Sequence, residues 1–135
     1  MRHVCVKAQV VQDETGIRAE IPVILVEQDS RLEALGPLVD YLLAHTQARS
    51  LSWMRKLCQA VGLLLDYLAV HHAHFARPAD LFDTFARRVY SGTIGEDGRD
   101  PSDLYWLPKR SANARQLLTS LSEFSDWLHK TYGTQ

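Results

Sequence analysis

The segment from Trp53 to Leu68 constrains the fold of this chain more than any other part of the sequence. Its apolar residues recur at steps of three and four, and no proline interrupts them. They are Trp53, Met54, Leu57, Val61, Leu64, Leu65 and Leu68. This spacing predicts a long amphipathic helix that is capped by Ser50 or Ser52 and ends near His72. Such a helix is stable only where other elements cover its apolar face.

Two segments near the N-terminus, residues 3–12 and 17–26, alternate between apolar and polar side chains. Residues 13–16 lie between them and form a polar turn sequence that ends in Gly16. Two alternating runs around a short turn with glycine predict a β-hairpin. Pro22 has no backbone N–H to donate, so its strand should lie at a sheet edge or be bulged there. Because a two-stranded hairpin is marginal by itself, it must pack on the helices or on a partner.

Two shorter helices are predicted, one on each side of the long helix. The first should open at Ser30, because Ser30 and Glu33 have the spacing of a capping box, and Pro37 should lie in its first turn or kink it. Its apolar residues are Leu35, Leu38, Val39, Leu42 and Leu43. The other helix should start at Arg77-Pro78, since proline suits a first helical turn. Its predicted buried stripe is Leu81, Phe82, Phe85 and Val89.

The C-terminal third of the sequence predicts a long loop and a last helix. Residues 92–108 are rich in Gly, Asp and Pro, and a loop of this length needs apolar anchors at its end. The expected anchors are Tyr105, Trp106 and Leu107. The last helix should run from about Ser111 to about Thr131, with Leu117, Leu118, Leu121, Phe124, Trp127 and Leu128 facing inward. The predicted fold is therefore mainly α, with an N-terminal β-hairpin followed by four helices.

Length and composition fit one globular domain. The chain has 135 residues, of which 46% are hydrophobic, and it has no apolar run of roughly 20 residues that could span a membrane. Its first residues do not have the pattern of a secretory signal. Cys5 and Cys58 are predicted to be free, buried thiols in a reducing compartment, with a disulfide as the alternative. We therefore expect a cytoplasmic protein without a membrane partner.

The formal net charge of −1 is unlike that of a protein that coats DNA, but the basic residues are clustered. Residues 49–60 and 109–115 each contain three Lys or Arg residues and no acid, whereas acids gather in residues 96–103. Basic side chains and amides at helix starts suit phosphate oxygens, and Asn or Arg can also read base edges. The candidate DNA-binding residues are Arg49, Arg55, Lys56, Gln59, Lys109, Arg110, Ser111, Asn113 and Arg115. The alternative is a solvated face, on which Ser111 is only a helix cap and Asn113 only a first-turn residue.

No other group of residues in the sequence has the pattern of a catalytic or metal site. The histidines of residues 71–74 lie at a polar helix end and lack the further ligands that zinc requires. The acids of residues 96–103 lack the full calcium-loop pattern, and neither a nucleophile elbow nor a Gly-rich phosphate loop is present. The three tryptophans fall on inward-facing stripes. The sequence therefore predicts no catalytic residues, no metal, no cofactor and no small-molecule substrate.

Two of the predicted helices resemble the core-binding domain of tyrosine recombinases, which are enzymes of the phage-integrase type. The run Ser50-Leu51-Ser52-Trp53-Met54-Arg55-Lys56, continuing to Leu64-Leu65-Asp66-Tyr67-Leu68, is similar to the opening helix pair of that domain. The run Lys109-Arg110-Ser111-Ala112-Asn113-Ala114-Arg115-Gln116-Leu117-Leu118, continuing to Phe124-Ser125-Asp126-Trp127-Leu128, looks like its last helix. Gly98-Arg99-Asp100-Pro101 and Leu104-Tyr105-Trp106 are similar to a subset of bacterial integrase-like recombinases. The resemblance covers residues 30–132.

This resemblance implies a SAM-like core-binding bundle of four or five helices that spans residues 29–132, preceded by a hairpin arm over residues 1–28. It implies that the chain is the DNA-binding part of a site-specific recombinase, whose protomers assemble as a tetramer on duplex DNA. The family's catalytic domain follows the core-binding domain, so it is expected to be absent from this chain, and Tyr132 falls where the interdomain linker would begin. The alternative function is a protein-interaction module that oligomerises, for example as a homodimer, through the edge of the hairpin.

Overall fold

The computed structural model describes residues 3–11, 18–46, 48–71 and 78–133 of the chain, and within these ranges it contains three strands followed by four helices. The strands are β1 (His3–Val11), β2 (Arg18–Gln28) and β3 (Arg31–Ala34). The helices are α1 (Gly36–His45), α2 (Leu51–His71), α3 (Pro78–Ser91) and α4 (Ser111–Tyr132). The predicted class, mainly helical with a small antiparallel element at the N-terminus, is confirmed.

The three strands form one antiparallel sheet in the order β1-β2-β3. The pairing of β1 with β2 confirms the two strands of the predicted hairpin, while its turn at residues 13–16 lies outside the described residues. The third strand was not predicted. Asp29 and Ser30 have φ angles of 51° and 64° and connect β2 to β3 as a two-residue hairpin turn with positive φ at both positions. The capping box predicted at Ser30 and Glu33 is therefore wrong, because Glu33 is paired in β3 opposite Val26.

Pro22 lies in the central strand of this sheet, opposite Lys7 of β1. The expectation of an edge strand is thus wrong for β2 as a whole. However, β3 pairs only with the segment Leu25–Gln28, so the described sheet borders Pro22 on the β1 side alone. The missing N–H of proline costs no ladder hydrogen bond where no neighbouring strand is present to accept it.

The sheet and the helices share one hydrophobic core. Strand β2 contributes Ile21, Val23, Ile24 and Val26, which are all buried. The helices contribute Leu38, Tyr41, Leu42, Met54, Leu57, Cys58, Ala60, Val61, Tyr67, Phe85, Val89, Ala114, Leu117, Leu121 and Phe124. Trp53 and Trp127 are half-buried against this core, and Trp106 is buried in it, as the inward-facing stripes predicted. The hairpin therefore packs on the helices, as its marginal stability required.

The helix starts follow partly from local sequence. The backbone N–H of Trp53 donates to Ser50 Oγ over 3.1 Å, so Ser50 rather than Ser52 caps α2. Helix α3 begins at Pro78, as predicted. In α3, Phe85 and Val89 are buried and Leu81 is half-buried, but Phe82 has 38% of its surface exposed. The prediction that Phe82 is buried is wrong, because its ring lies at the margin of the stripe, where it contacts Phe85.

The predicted loop between α3 and α4 is irregular in the structure and is organised around the carboxylate of Asp100. This carboxylate accepts hydrogen bonds from the backbone N–H of Ser102 and Tyr105 and from the hydroxyls of Ser102 and Thr93. Trp106 anchors the loop in the core, as predicted. The other two predicted anchors are wrong, since Tyr105 and Leu107 are 49% and 68% exposed. At Tyr105 the backbone N–H, rather than the ring, holds the loop.

None of the helices within the described residues is both long and apolar enough to cross a lipid bilayer.

Candidate functional site

A cleft of about 460 Å³ lies between α2 and the segment that leads into α4. We call it the basic cleft. It is lined by Lys56, Gln59, Leu107, Pro108, Lys109, Arg110, Asn113, Gln116 and Leu117. Lys56 and Gln59 come from one of the two basic segments identified in the sequence, and Lys109, Arg110 and Asn113 come from the other. The fold therefore brings together two clusters that are about fifty residues apart in the sequence.

The two walls of the basic cleft are held by different contacts. Helices α2 and α4 are in contact, and both contribute buried residues to the core, such as Leu57 and Ala114. Across the cleft, Lys56 Nζ donates to Gln116 Oε1 over 3.2 Å. The backbone N–H of Lys109 donates to the carbonyl of Tyr90 over 3.2 Å, which ties the entry of α4 to the end of α3. The position of Lys109 thus depends on the loop that Asp100 organises.

The charges of the basic cleft are all of one sign. Its lining contains the cations Lys56, Lys109 and Arg110, together with three side-chain amides, and no acid. Helix α4 begins at the cleft, and no described side chain caps the amides of its first turn. These amides and the helix dipole add partial positive charge at the same place. The cleft therefore suits an anionic ligand with several acceptor oxygens.

Ser111 does not cap α4. The capping position is Arg110, which has extended backbone angles, and Ser111 is the first helical residue. The alternative in which Ser111 serves only as the helix cap is therefore wrong. Ser111 and Arg115 are exposed at the start of α4, but they do not line the basic cleft.

Two predicted DNA-binding residues on the other segment also lie outside the basic cleft. The guanidinium of Arg49 lies 5.0 Å from the ring centre of Trp53, and its Nη2 lies 3.8 Å from Glu123 Oε2. Arg55 lines a different cavity, of about 340 Å³, between α2 and β1. Consecutive residues of a helix point about 100° apart, so Arg55 and Lys56 face different neighbours. The structure thus divides the first cluster between two sides of α2.

Gln116, Leu107 and Pro108 also line the cleft, although they were not predicted as site residues. Gln116 follows Asn113 by three residues on α4, and residues at this spacing share a helix face. That spacing alone could have identified Gln116. No comparable local signal identifies Leu107 and Pro108, because they belong to an irregular segment.

The described residues contain no group of three or more His, Cys, Asp or Glu side chains arranged to hold a metal ion. Among the histidines considered for zinc, His72 and His74 lie outside the described part of the chain. Burial acts to raise the pKa of Asp100, but the hydrogen bonds from Ser102, Thr93 and Tyr105 outweigh it and hold that pKa well below its usual range. All of these hydrogen bonds come from residues of the loop that contains Asp100, so the loop itself uses this carboxylate.

Two other chemically notable groups are accounted for by local contacts. Tyr132 donates to Asp40 Oδ2 over 2.6 Å, and this hydrogen bond, with burial and the charge of Asp40, raises the pKa of the phenol.

The cysteines are free, but only Cys58 is buried, and the prediction that Cys5 is buried is wrong. Cys5 lies in β1, an edge strand of the described sheet, and it is exposed to solvent.

Comparison of this chain with protein-family models, with curated proteins and with solved structures finds no significant match.

Proposed function

We propose that this chain binds duplex DNA through the basic cleft. The observation that carries the proposal is the meeting of Lys56, Lys109 and Arg110 in one lining without an acid, in a chain whose net charge is −1. The chain has similar numbers of acidic and basic residues, so a random distribution would not be expected to place three cations in one cleft without an acid. Such a cluster costs electrostatic self-repulsion, which an anionic partner relieves.

DNA phosphates suit this arrangement in three ways. The long side chains of Lys56, Lys109 and Arg110 can each reach a phosphate oxygen, and the uncapped amides of α4 can add a further contact. The amides of Gln59 and Asn113 lie in the same lining and can accept or donate to sugar and base edges. Contacts to phosphates supply affinity, and those of the amides would supply any preference for sequence.

The resemblance to tyrosine recombinases supports a larger role for this binding. In that proposal the chain is the SAM-like, non-catalytic core-binding part of a bacterial recombinase, acting in the cytoplasm beside the nucleoid. The features that support it are the order of the four helices, the basic start of α4 and the pairing of α4 with α2. The expected partners are then duplex DNA and other recombinase protomers, without a cofactor or a metal.

The salt dependence of DNA binding tests the proposal. Each neutralised phosphate contributes a slope of about −0.9 to the logarithm of the binding constant against the logarithm of salt concentration, so three cations predict about −2.7. Lys109→Ala and Lys56→Ala should each reduce the magnitude of that slope by about 0.9 and weaken binding. Lys130→Ala, at the exposed far end of α4, is the matched control and should leave the slope unchanged. Fluorescence anisotropy of a short labelled duplex measures all four proteins.

Two outcomes would contradict DNA as the ligand. The first is an absence of duplex binding at low salt by the folded wild-type chain. The second is competition by a mononucleotide or by inorganic phosphate at the same concentration as the duplex, which would indicate a small anionic ligand instead. Arg115→Ala tests whether binding depends on the cleft or on the whole start of α4. Because Arg115 lies outside the cleft lining, its replacement should weaken DNA binding less than the replacement of Lys109.

A second function, association through the sheet edge, is supported by a separate observation. Within the described sheet, β1 pairs on one side only, and Val4 and Val6 are 45% and 37% exposed. An edge strand with exposed valines can add to a strand of another chain. Deleting the first 28 residues would remove the buried residues of β2, so the suitable test is Val6→Lys. Light scattering should show a dimer that this substitution abolishes, and a monomeric wild-type chain would contradict the hypothesis.

A further inference from the structure

The two cysteines, which are far apart in the sequence, meet between β1 and α2. Cys5 lies on β1 and is exposed, whereas Cys58 lies on α2 and has only 3% of its surface exposed. The two side chains lie near enough for Cys5 to contribute to the raised pKa of Cys58. Both also line the cavity of about 340 Å³ that separates β1 from α2. One thiol of the pair is thus open to a reagent, and the second is buried and lines the same cavity.

We propose that Cys5 and Cys58 form a redox-active dithiol, which a small-molecule disulfide such as oxidised glutathione converts into an intramolecular disulfide. The thiolate of Cys5 attacks one glutathione sulfur, and the first glutathione leaves as a thiolate. The thiolate of Cys58 then attacks the Cys5 sulfur of the mixed disulfide, and the second glutathione leaves. The two protons lost by the protein thiols pass through solvent to the two departing thiolates. Two protein thiols are oxidised and one glutathione disulfide is reduced.

The order of these two steps follows from the surroundings of each sulfur. Burial, together with the charge and hydrogen bond of Cys5, raises the pKa of Cys58 to about 12. Cys58 is therefore a poor first nucleophile and is also shielded from the reagent. In the mixed disulfide Cys5 carries no negative charge, so it no longer disfavours the thiolate of Cys58 by charge repulsion. The other charged or titratable groups that line the cavity are His3 of β1 and Arg55 and Asp66 of α2, and His3 pairs with Asp66.

The new bond would join the sheet covalently to the helix that carries one wall of the basic cleft. Cys58 immediately precedes Gln59, which lines both the basic cleft and the cysteine cavity. The disulfide itself would lie on the β1 side of α2, away from Lys109 and Arg110. The inference therefore stands whether or not the cleft binds DNA.

Folding should favour oxidation of this pair, because the folded chain holds the two sulfurs together and the unfolded chain does not. The test equilibrates the full chain, at low protein concentration, in buffers of graded oxidised-to-reduced glutathione ratio, with and without denaturing urea. Free thiols are then alkylated, and non-reducing peptide mapping identifies the disulfide. The folded chain should reach half-oxidation at a ratio at least about tenfold lower than the unfolded chain. Its thermal midpoint should rise on oxidation by on the order of 10 °C.

Cys5→Ser is the main control, because Cys5 is exposed and its replacement should leave the fold intact. This variant should form no intramolecular disulfide and show no thermal shift in oxidising buffer. Cys58→Ala should instead stop at the glutathione adduct of Cys5. Accumulation of that adduct in the wild-type chain, dimers linked through Cys5, or equal oxidation of the folded and unfolded chains would each overturn the proposal. Because the decisive comparison uses the wild-type chain, it does not depend on whether Cys58→Ala folds.

Discussion

Replacement of Gly92 by alanine should destabilise this chain more than the same replacement at Gly98 or Gly36. Gly92 ends α3 and has a φ angle of +76°, a conformation that residues with a side chain rarely adopt. A Cβ atom at this position would lie 2.5 Å from the carbonyl oxygen of Trp106 and 2.9 Å from the nitrogen of Pro108. Both are backbone atoms, so the loop segment that leads to the basic cleft would have to move.

The destabilisation expected at Gly92 has two causes, its positive φ angle and the backbone clash, and two further glycines allow them to be measured separately. Gly98 has a φ angle of +79°, but nothing lies within 4 Å of a Cβ built there. Gly98→Ala should therefore show only the conformational cost, about 1–2 kcal/mol. Gly36 has open space around it and no unusual φ, so Gly36→Ala should be neutral or stabilise by up to about 1 kcal/mol. Gly92→Ala adds a backbone clash to the conformational cost, and overpacking of this kind adds about 1–3 kcal/mol, for a total of about 2–5 kcal/mol.

Urea unfolding of the three variants and the wild-type chain measures this series, with the slope of each transition checked for a common value. The expected order of stability is Gly36→Ala, then Gly98→Ala, then Gly92→Ala. Equal losses at Gly92 and Gly98 would refute the argument that the loop backbone packs against α3 at this point. The Gly92 variant also displaces the residues before Lys109, so its DNA binding should fall more than that of the Gly98 variant.

Two other substitutions test single contacts by the same urea assay. Asp100→Asn should lower stability at neutral pH, whereas Asp103→Asn, at an exposed position with positive φ, should not. Because the folded pKa of Asp100 is depressed, the stability that its carboxylate contributes is present above the unfolded pKa of about 3.9 and is lost as the pH falls toward the folded value. The gap between wild type and Asp100→Asn should therefore narrow below about pH 4, and a constant gap would contradict the role of the carboxylate. Ser50→Ala should cost about 1 kcal/mol by removing the cap of α2, with Ser52→Ala near zero, and equal effects would contradict the assignment of the cap.

The parts of the fold that the sequence predicted are those with strong local signals. The apolar spacing of α2 continues over many turns, and Pro78 marks the start of α3 because proline fits a first turn. Alternation likewise identified β1 and β2. In α2, β1 and β2 the side-chain pattern extends over enough residues to exceed the effect of any single neighbour.

Strand β3 could not be predicted in this way. All four residues of Arg31–Ala34 are exposed, so the strand has no alternation of buried and exposed positions. Its turn uses Asp29 and Ser30 at positive φ, without the glycine that commonly marks such turns. Ser30 and Glu33 also matched a capping box, a local signal for a helix. Pairing with β2, a tertiary contact, decides the conformation of this segment.

The basic cleft was predictable as two clusters but not as one site. Each cluster is visible in the sequence, and the residues that meet include Lys56 and Lys109. Their meeting depends on the packing of α2 against α4 and on a loop held by Asp100, and no periodic pattern specifies either one. The position of Arg49 outside the basic cleft could not be predicted for a similar reason. Its contacts with Trp53 and Glu123 depend on the tertiary structure.

The size of the basic cleft places a limit on what the chain can do alone. Three cations correspond to about three phosphate contacts, fewer than the 6–10 or so contacts of a protein that loses a factor of 10³–10⁵ in affinity over a modest rise in salt. A net charge of −1 also gives no long-range attraction toward a polyanion. If the proposal of DNA binding is correct, the isolated chain should therefore hold DNA weakly and briefly. A second DNA-contacting domain on the same polypeptide would raise the effective concentration of the cleft at its site and convert weak contacts into stable binding. Under that proposal, the chain would act as a module that contacts one side of the duplex and not as a self-sufficient DNA-binding protein.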